Sequence, residues 1–426
     1  MSGGRFPGRV RLVSEAVLVE QPAFVPLLLL GLFFPTSTGG VHSGLLYELF
    51  LGLAMVSLSY LVWKHGTRLG AVGGIALPIM AILAAGTFYT SFTQTFPTGW
   101  GIMAEYISLS LLLSLDLRNI GQTRLMRSAL VAANVVSIAC GFAIVAGNER
   151  AGQFLTDYYA QFYDDLLPNM LSLHKPVLSF GTHAVAGFFL YVFFWLNWET
   201  YKSRPSILVL CFALSWLVLL IALTSFTAFG LAAFAFVQIA LWLWKSHRTL
   251  LAAVVFCLLA GLLLGGRLIQ DYFDISDVAE IGAGMLASDN VSGPLARYGA
   301  GGSERDRIDY FLEHPLAPVG VAVPAFALTV DSGPIGYLVR GSVPLLVLVY
   351  FGLYKFLRYN LISRRYALTL FFLVVVSETA FTALTYLRTF FLLPIVIVYL
   401  NHLSLPIDHG ASEKIPISAQ LQAGMS

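Results

Sequence analysis

Arginines that suit phosphate chemistry occur in one polar stretch of a mostly apolar chain. The stretch GSERDRIDYFLEHPL, residues 302–316, contains Arg305 and Arg307 among acidic neighbours. A guanidinium group is planar and donates two parallel hydrogen bonds, which matches the oxygens of a phosphate. One interpretation is therefore that these arginines bind a phosphate. The alternative is that they pair with the neighbouring acids or extend to the bilayer surface.

Four further charged residues lie inside or beside apolar runs: Glu105, Arg340, Glu378 and Arg388. A charge within a membrane span costs about 2.5–3.5 kcal/mol on insertion scales, so function is the default interpretation. Arg340 is expected about two turns into its helix from the outer end. Arg388 is expected to extend to the surface, and Glu378 to pair with Arg340 or Arg388. His183 opens a helix in SFGTHAVAGFF.

The stretch that contains the arginines predicts a short surface helix. Ser303 followed by Asp306 is similar to a capping box, and the helix should run over 304–313 before Pro315. The helical repeat places three apolar residues on one stripe with an arginine at either edge: Ile308, Phe311 and Leu312. We therefore expect an amphipathic helix at the membrane surface.

The rest of the chain must supply the helices that position these groups. The 426 residues are 58% hydrophobic and 11% charged, whereas soluble domains carry about a quarter charged residues. Repeated apolar runs predict an all-α polytopic membrane protein of about twelve transmembrane helices. The predicted spans are 17–36, 44–63, 70–88, 101–116, 128–146, 179–197, 205–223, 226–244, 249–266, 333–354, 366–384 and 387–402.

Lys and Arg residues predict the orientation. Most of the 25 lie in alternate short loops, which puts both termini and the tail 403–426 in the cytoplasm. The chain is then a single membrane domain, 1–426, with two long outward loops at 147–178 and 267–332. The second loop has four arginines and ten acids, a formal charge of −6. Only a local arrangement of its arginines can therefore bind an anion.

Several function classes find no support in the sequence. The three cysteines fall inside predicted spans, and no metal-ligand spacing, phosphate loop or hydrolase elbow occurs. The net charge of +2 does not indicate nucleic-acid binding. We expect no metal and no cofactor.

Three segments carry a family resemblance: LTSFTAFGLAAFAF (223–236), ERDRIDYFLEHPLAPVGVA (304–322) and DSGPIGYLVRGSVPLLVLVYFGLY (331–354). They resemble a Ser-rich helix start, a large-loop motif ending in His-Pro-Leu, and the helix after that loop in the O-antigen polymerase and O-antigen ligase superfamily. Two features of the ligases are missing, because no Arg lies in Ser225–Thr227 and Asp331 takes the place of a His. Arg340 also stands where the family often has an acid. The resemblance therefore favours a polymerase.

The resemblance implies an inner-membrane glycosyltransferase of the all-helical GT-C type, independent of metal, with its active site on the periplasmic side. The donor and the acceptor would be undecaprenyl-pyrophosphate-linked oligosaccharides, and a chain-length regulator protein would be a further partner. The product would be O-antigen or exopolysaccharide. Two alternatives remain open: a ligase that transfers glycan to lipid A core or protein, and a twelve-helix secondary transporter or flippase.

Within that family reading, residue roles can be assigned as hypotheses. The candidates for binding the donor pyrophosphate are the arginines Arg305, Arg307, Arg340 and Arg297. The candidates for the base that deprotonates the acceptor hydroxyl are, in order, Asp331, Glu304, His314 and His183. Asp331 comes first because it lies where the long loop re-enters the membrane.

Overall fold

The computed structural model describes residues 19–20, 24–35, 44–93, 96–118, 120–159, 166–246, 298, 302, 304–324 and 332–404, and these residues are almost entirely helical. The first half contains α1 (Phe24–Phe33), α2 (Gly44–His65), α3 (Leu69–Ala71), a π-helical turn (Val72–Ala76), α4 (Leu77–Thr93), α5 (Trp100–Ser114), α6 (Arg124–Val145), α7 (Glu149–Tyr159) and α8 (Leu166–Ser172). The second half contains a 3₁₀ turn (Leu178–Phe180), α9 (His183–Ser203), α10 (Ile207–Ala222), α11 (Phe226–Ser246), α12 (Arg305–Glu313), α13 (Gly333–Asn360), α14 (Arg364–Ser377) and α15 (Leu387–Ser404). Two short parallel strands, β1 (Val19–Glu20) and β2 (Ile120–Gly121), pair with each other.

Among the described residues, six helical stretches are long and apolar enough to cross a membrane. They are α2, the continuous helix Val72–Thr93, α6, α11, α13 and α15, while α1, α5 and α10 are shorter apolar helices. This agrees with an all-α membrane protein. The predicted span 249–266 lies outside the described residues. The predicted span 366–384 differs, because α14 ends at Ser377 and an irregular segment follows before α15.

Two helices form the centre of the bundle. In α9 every residue over 184–199 is buried, and in α15 every residue over 387–398 is buried. α9 packs against α10 and α11, and α15 packs against α1. The peripheral helices expose large apolar side chains such as Leu45, Trp63 and Ile207. So much exposed apolar surface suits lipid rather than water.

α13 is broken where its sequence reads GSVP. Gly341 and Ser342 leave helical geometry, and Ser342 has a φ of 56°. Pro344 has no N–H group and its ring would collide with the carbonyl of Arg340, four residues earlier. The break therefore leaves main-chain carbonyls at the end of the first half of α13 without helical partners.

Residues 314–324, which we call the strap, fill this break. The main-chain N–H groups of Val319 and Gly320 donate to the carbonyls of Val339 and Arg340, each at 3.0 Å. Irregular backbone at membrane depth is tolerated where it is buried in protein and its polar groups are satisfied. The strap supplies these hydrogen bonds and thereby stabilises the kinked α13.

The strap also fastens to α4 and to the start of α5. The N–H of Val321 donates to Thr87 Oγ1 at 2.9 Å, and Gly99 N–H donates to the Val321 carbonyl at 2.8 Å. Close approach depends on two glycines, because a Cβ on Gly86 would lie 2.9 Å from the nitrogen of Gly320. The strap is thus held between α4 and α13.

Candidate functional site

The side chain of Arg340 lies at the break in α13. It is 6% exposed, and its Nη1 donates to the carbonyls of Gly320 at 3.1 Å and Ala322 at 3.3 Å. The same residue therefore uses its carbonyl to accept from the strap and its guanidinium to donate to it. The role predicted for Arg340 in binding a pyrophosphate stays a prediction.

Arg307, on α12, lies close to Arg340. Its side chain is 7% exposed and forms an ion pair of 3.1 Å with Glu304, whose side chain is fully buried. Arg307 is near enough to Arg340 for the two guanidinium groups to repel each other. Two of the four arginines predicted to bind phosphate therefore converge, together with one of the predicted bases.

α5 and α2 supply the other wall of this cluster. Glu105 on α5 accepts a hydrogen bond from the hydroxyl of Tyr47 on α2. Glu105 and the neighbouring Tyr106 both interact electrostatically with Arg340. We call Glu304, Arg307, Arg340, Glu105 and Tyr47 the arginine cluster. Its two arginines and two carboxylates balance each other's formal charge.

Arg305 does not join the arginine cluster. Its side chain is 44% exposed and binds Asp309 through two contacts, Nη2 to Oδ1 at 2.8 Å and Nε to Oδ2 at 3.0 Å. This is the alternative interpretation of pairing with a neighbouring acid. The predicted apolar stripe also differs from the buried face, because Arg307 is buried while Leu312 is 64% exposed. The reason is that α12 packs its Arg307 side on α13.

The predicted histidines lie elsewhere. His314 ends α12, is exposed, and stacks on the Tyr310 ring with 4.9 Å between centroids. Burial raises the pKa of Tyr310, whose hydroxyl donates to the Ala317 carbonyl at 3.0 Å. His183 begins α9, which packs mainly on α10, α11 and α15. Asp331 and Arg297 lie outside the described residues.

Glu378 makes a different set of contacts from the predicted ion pair. Its Oε1 accepts from the N–H of Leu384 at 2.5 Å, and its carbonyl accepts from Gly333 N–H at 2.9 Å. The hydroxyls of Tyr337 and Tyr350 face the same carboxylate. Within the described residues it forms no ion pair with Arg340 or Arg388, so that prediction is wrong there.

Arg388 is fully buried and does not extend to the bilayer surface as predicted. Its guanidinium donates to three main-chain carbonyls, those of Gly31 at 2.9 Å, Phe34 at 3.0 Å and Ser179 at 2.7 Å. A cation satisfied by backbone carbonyls can remain inside a membrane protein. Arg388 therefore joins α15 to the end of α1 and to the 3₁₀ turn.

The sequence indicated Arg307, Glu304 and Arg340 but missed the interactions of Arg340 with the strap and with Glu105 on α5. The Pro344 signal was available for the break in α13. The sequence carried no signal for the segments that contact Arg340, since they lie far away along the chain. Among the residues the structure describes, no group of three His, Cys, Asp or Glu side chains is arranged to hold a metal ion.

Comparison with known proteins does not add to this geometry. No protein-family model, curated protein or solved structure matches the chain.

Proposed function

We propose that the protein is a polysaccharide polymerase that uses a polyprenyl-pyrophosphate-linked glycan as donor and a lipid-linked repeat unit as acceptor. The observation that carries this proposal is the convergence of Arg307 and Arg340 beside Glu304. Two neighbouring guanidinium groups in a poorly hydrated site are suited to the charge that develops on a pyrophosphate leaving group. The resemblance in residues 304–322 and 331–354 supports the same activity.

Two arginines have distinct roles in this mechanism. Arg340 is held by the carbonyls of Gly320 and Ala322, so its position is fixed before the donor arrives. Arg307 is held by its ion pair of 3.1 Å to Glu304. On donor binding, Arg307 turns from Glu304 to the pyrophosphate, where its planar fork donates to two oxygens.

This exchange of partners frees the Glu304 carboxylate. A sugar hydroxyl is a poor nucleophile until a base removes its proton. Glu304 accepts that proton while the hydroxyl oxygen attacks the anomeric carbon and the bond to the pyrophosphate breaks. A single displacement inverts the configuration at that carbon. The pyrophosphate leaves as an anion and needs no proton.

The test is an assay of purified protein with lipid-linked repeat unit, in which oligomers are separated on a gel. Arg307→Gln should lower the rate by about 100-fold or more, the usual loss when one stabilising donor is removed. Glu304→Gln should lower it by a similar factor because the base is lost. Arg150→Gln, an exposed site on α7, is the matched control and should leave the rate unchanged.

Removing one partner of a buried ion pair also destabilises a protein, so folding must be separated from activity. The double variant Arg307→Gln with Glu304→Gln removes both charges together and should fold. We expect it to elute as the wild type does on size-exclusion chromatography and to form no oligomers. Oligomers at the wild-type rate from this folded double variant would contradict the proposal.

Secondary transport is a second candidate, favoured by the broken helix α13. Transporters place substrate sites at unwound helices in the middle of the membrane. Here, however, the carbonyls of Val339 and Arg340 already accept from the strap, so they are occupied. Uptake of a lipid-linked or soluble sugar into proteoliposomes without polymer formation would favour transport over polymerisation.

A further inference from the structure

One end of the helix bundle carries a concentration of basic side chains that the proposed reaction does not use. It is formed where α6 and α14 begin and where α9 and α15 end. Its members, which we call the basic end, are Arg124, Arg127, Lys202, Arg204, Arg364, Arg365 and His402. The sequence predicts that this side faces the cytoplasm.

Within the basic end, Arg127 and Arg204 both lie within electrostatic range of the end of α15. Both interact electrostatically with His402 and with Tyr399. Tyr399 is fastened to α9 by a contact of 2.5 Å between its hydroxyl and Thr200 Oγ1. The packing of α15 on α9 therefore places two exposed arginines from separate helices within electrostatic range of the same two residues, Tyr399 and His402.

Carboxylates do not neutralise these two arginines in the described part of the chain. The nearby buried acid Glu199 instead binds Lys202 at 2.5 Å and Arg365 at 3.5 Å. No described acidic side chain forms an ion pair with Arg127 or Arg204. Like charges held together without a counter-charge favour the binding of an anion.

Further hydrogen-bonding groups beside the basic end lack partners among the described residues. The side chain of Gln122 is 5% exposed, and neither its nitrogen nor its oxygen has a hydrogen-bond partner. The Nε2 of His402 is likewise buried without a partner. Gln122 directly follows β2, which packs against α15. Because buried polar groups are normally satisfied, these atoms are available to hydrogen-bond a ligand at the basic end.

Exposed apolar residues flank the arginines and indicate what kind of anion binds. Leu125 is 58% exposed beside Arg124, and Ile207 and Leu208 at the start of α10 are 76% and 52% exposed. A free phosphate ion has no apolar part that could pack against these side chains. A phospholipid has both a charged and an apolar part. Its phosphate can bind the arginines while its acyl chains pack against the exposed leucine and isoleucine side chains.

We infer that the basic end is a binding site for the phosphate headgroup of an anionic phospholipid, held principally by Arg127 and Arg204. Bilayers attract basic side chains near their surface with about 1 kcal/mol each, which is about fivefold in affinity. Basic pockets between membrane helices are a recognised form of headgroup site. This inference does not depend on the proposed glycosyl transfer.

The test measures binding of phosphatidylglycerol to the purified full-length protein by native mass spectrometry, with phosphatidylcholine as the neutral lipid. Arg127→Gln and Arg204→Gln should each lower phosphatidylglycerol affinity about fivefold, and the double variant about 25-fold. Binding of phosphatidylcholine should not change. Arg150→Gln, which removes one exposed charge beyond the far end of α6, is the matched control and should bind as the wild type does.

Unchanged phosphatidylglycerol affinity in the double variant would overturn the inference. Competition with inorganic phosphate distinguishes a lipid headgroup from a free phosphate ion as the ligand. If millimolar inorganic phosphate displaces the lipid completely, the site selects a soluble anion and the lipid assignment is wrong. If the lipid stays bound, the acyl chains contribute and the assignment holds. Thermal unfolding of each variant shows that these surface changes leave the fold intact.

Discussion

Gly320 offers the sharpest test of how the strap supports the arginine cluster. Its φ of 62° lies in the left-handed region, and a Cβ there would collide with the nitrogen and Oγ1 of Thr87 and with the carbonyl of Leu83. We therefore expect Gly320→Ala to disturb the strap in two ways, through its backbone and through its contact with α4.

The magnitude follows from adding the two effects. Left-handed geometry costs an alanine about 1–2 kcal/mol. Forcing an extra methyl into a packed interior costs about 1–3 kcal/mol. Two of the three colliding atoms, the nitrogen of Thr87 and the carbonyl oxygen of Leu83, are backbone and cannot move aside as a side-chain end would. The free energy of unfolding should therefore fall by about 2–5 kcal/mol.

The measurement is unfolding by sodium dodecyl sulfate in mixed micelles, followed by tryptophan fluorescence. The matched control is Gly152→Ala on α7, where a Cβ would meet nothing within 4 Å. That change should raise stability by up to about 1 kcal/mol, the helix propensity of alanine over glycine. The same substitution should therefore lower the free energy of unfolding at Gly320 and raise it at Gly152.

A Gly320→Ala protein that unfolds within about 0.5 kcal/mol of the wild type, the range of an innocuous surface change, would refute this reasoning. It would mean that the strap does not occupy the gap between α4 and α13. A second readout is polymer formation, which should also fall, because Gly320 contacts both the carbonyl and the guanidinium of Arg340.

Two further substitutions test the remaining buried charges. Arg388→Met removes three hydrogen bonds from a buried guanidinium and should lower the free energy of unfolding by about 3 kcal/mol or more. The stability of Arg388→Lys should fall between those of the wild type and the methionine variant. A methionine variant as stable as the wild type would contradict the stabilising role of these hydrogen bonds. Gly333→Ala directs a Cβ at the Glu378 carboxylate and should destabilise the protein by about 1–3 kcal/mol. Adding Glu378→Ala should restore part of that loss in a double-mutant cycle, whereas simple additivity would show that the two residues do not touch.

The sequence by itself determined the class of fold and the position of most helices. Apolar runs predicted helices near α2, α6, α11, α13 and α15, because burial in lipid requires continuous apolar length. The surface helix predicted over 304–313 is observed as Arg305–Glu313. These predictions succeed because helix formation is governed by near neighbours, whose identities can be read directly. Orientation and the periplasmic site stay predictions.

Only the tertiary structure decided which charges are buried and what holds them. Arg305 and Arg307 are two residues apart and chemically identical, yet one pairs with Asp309 near the surface and the other with buried Glu304. Arg340 is held by the strap and faces Glu105, more than 200 residues earlier in the chain. Such partners depend on how helices pack across the bundle. Local sequence carries no record of that packing, because the contacts form only when distant segments meet.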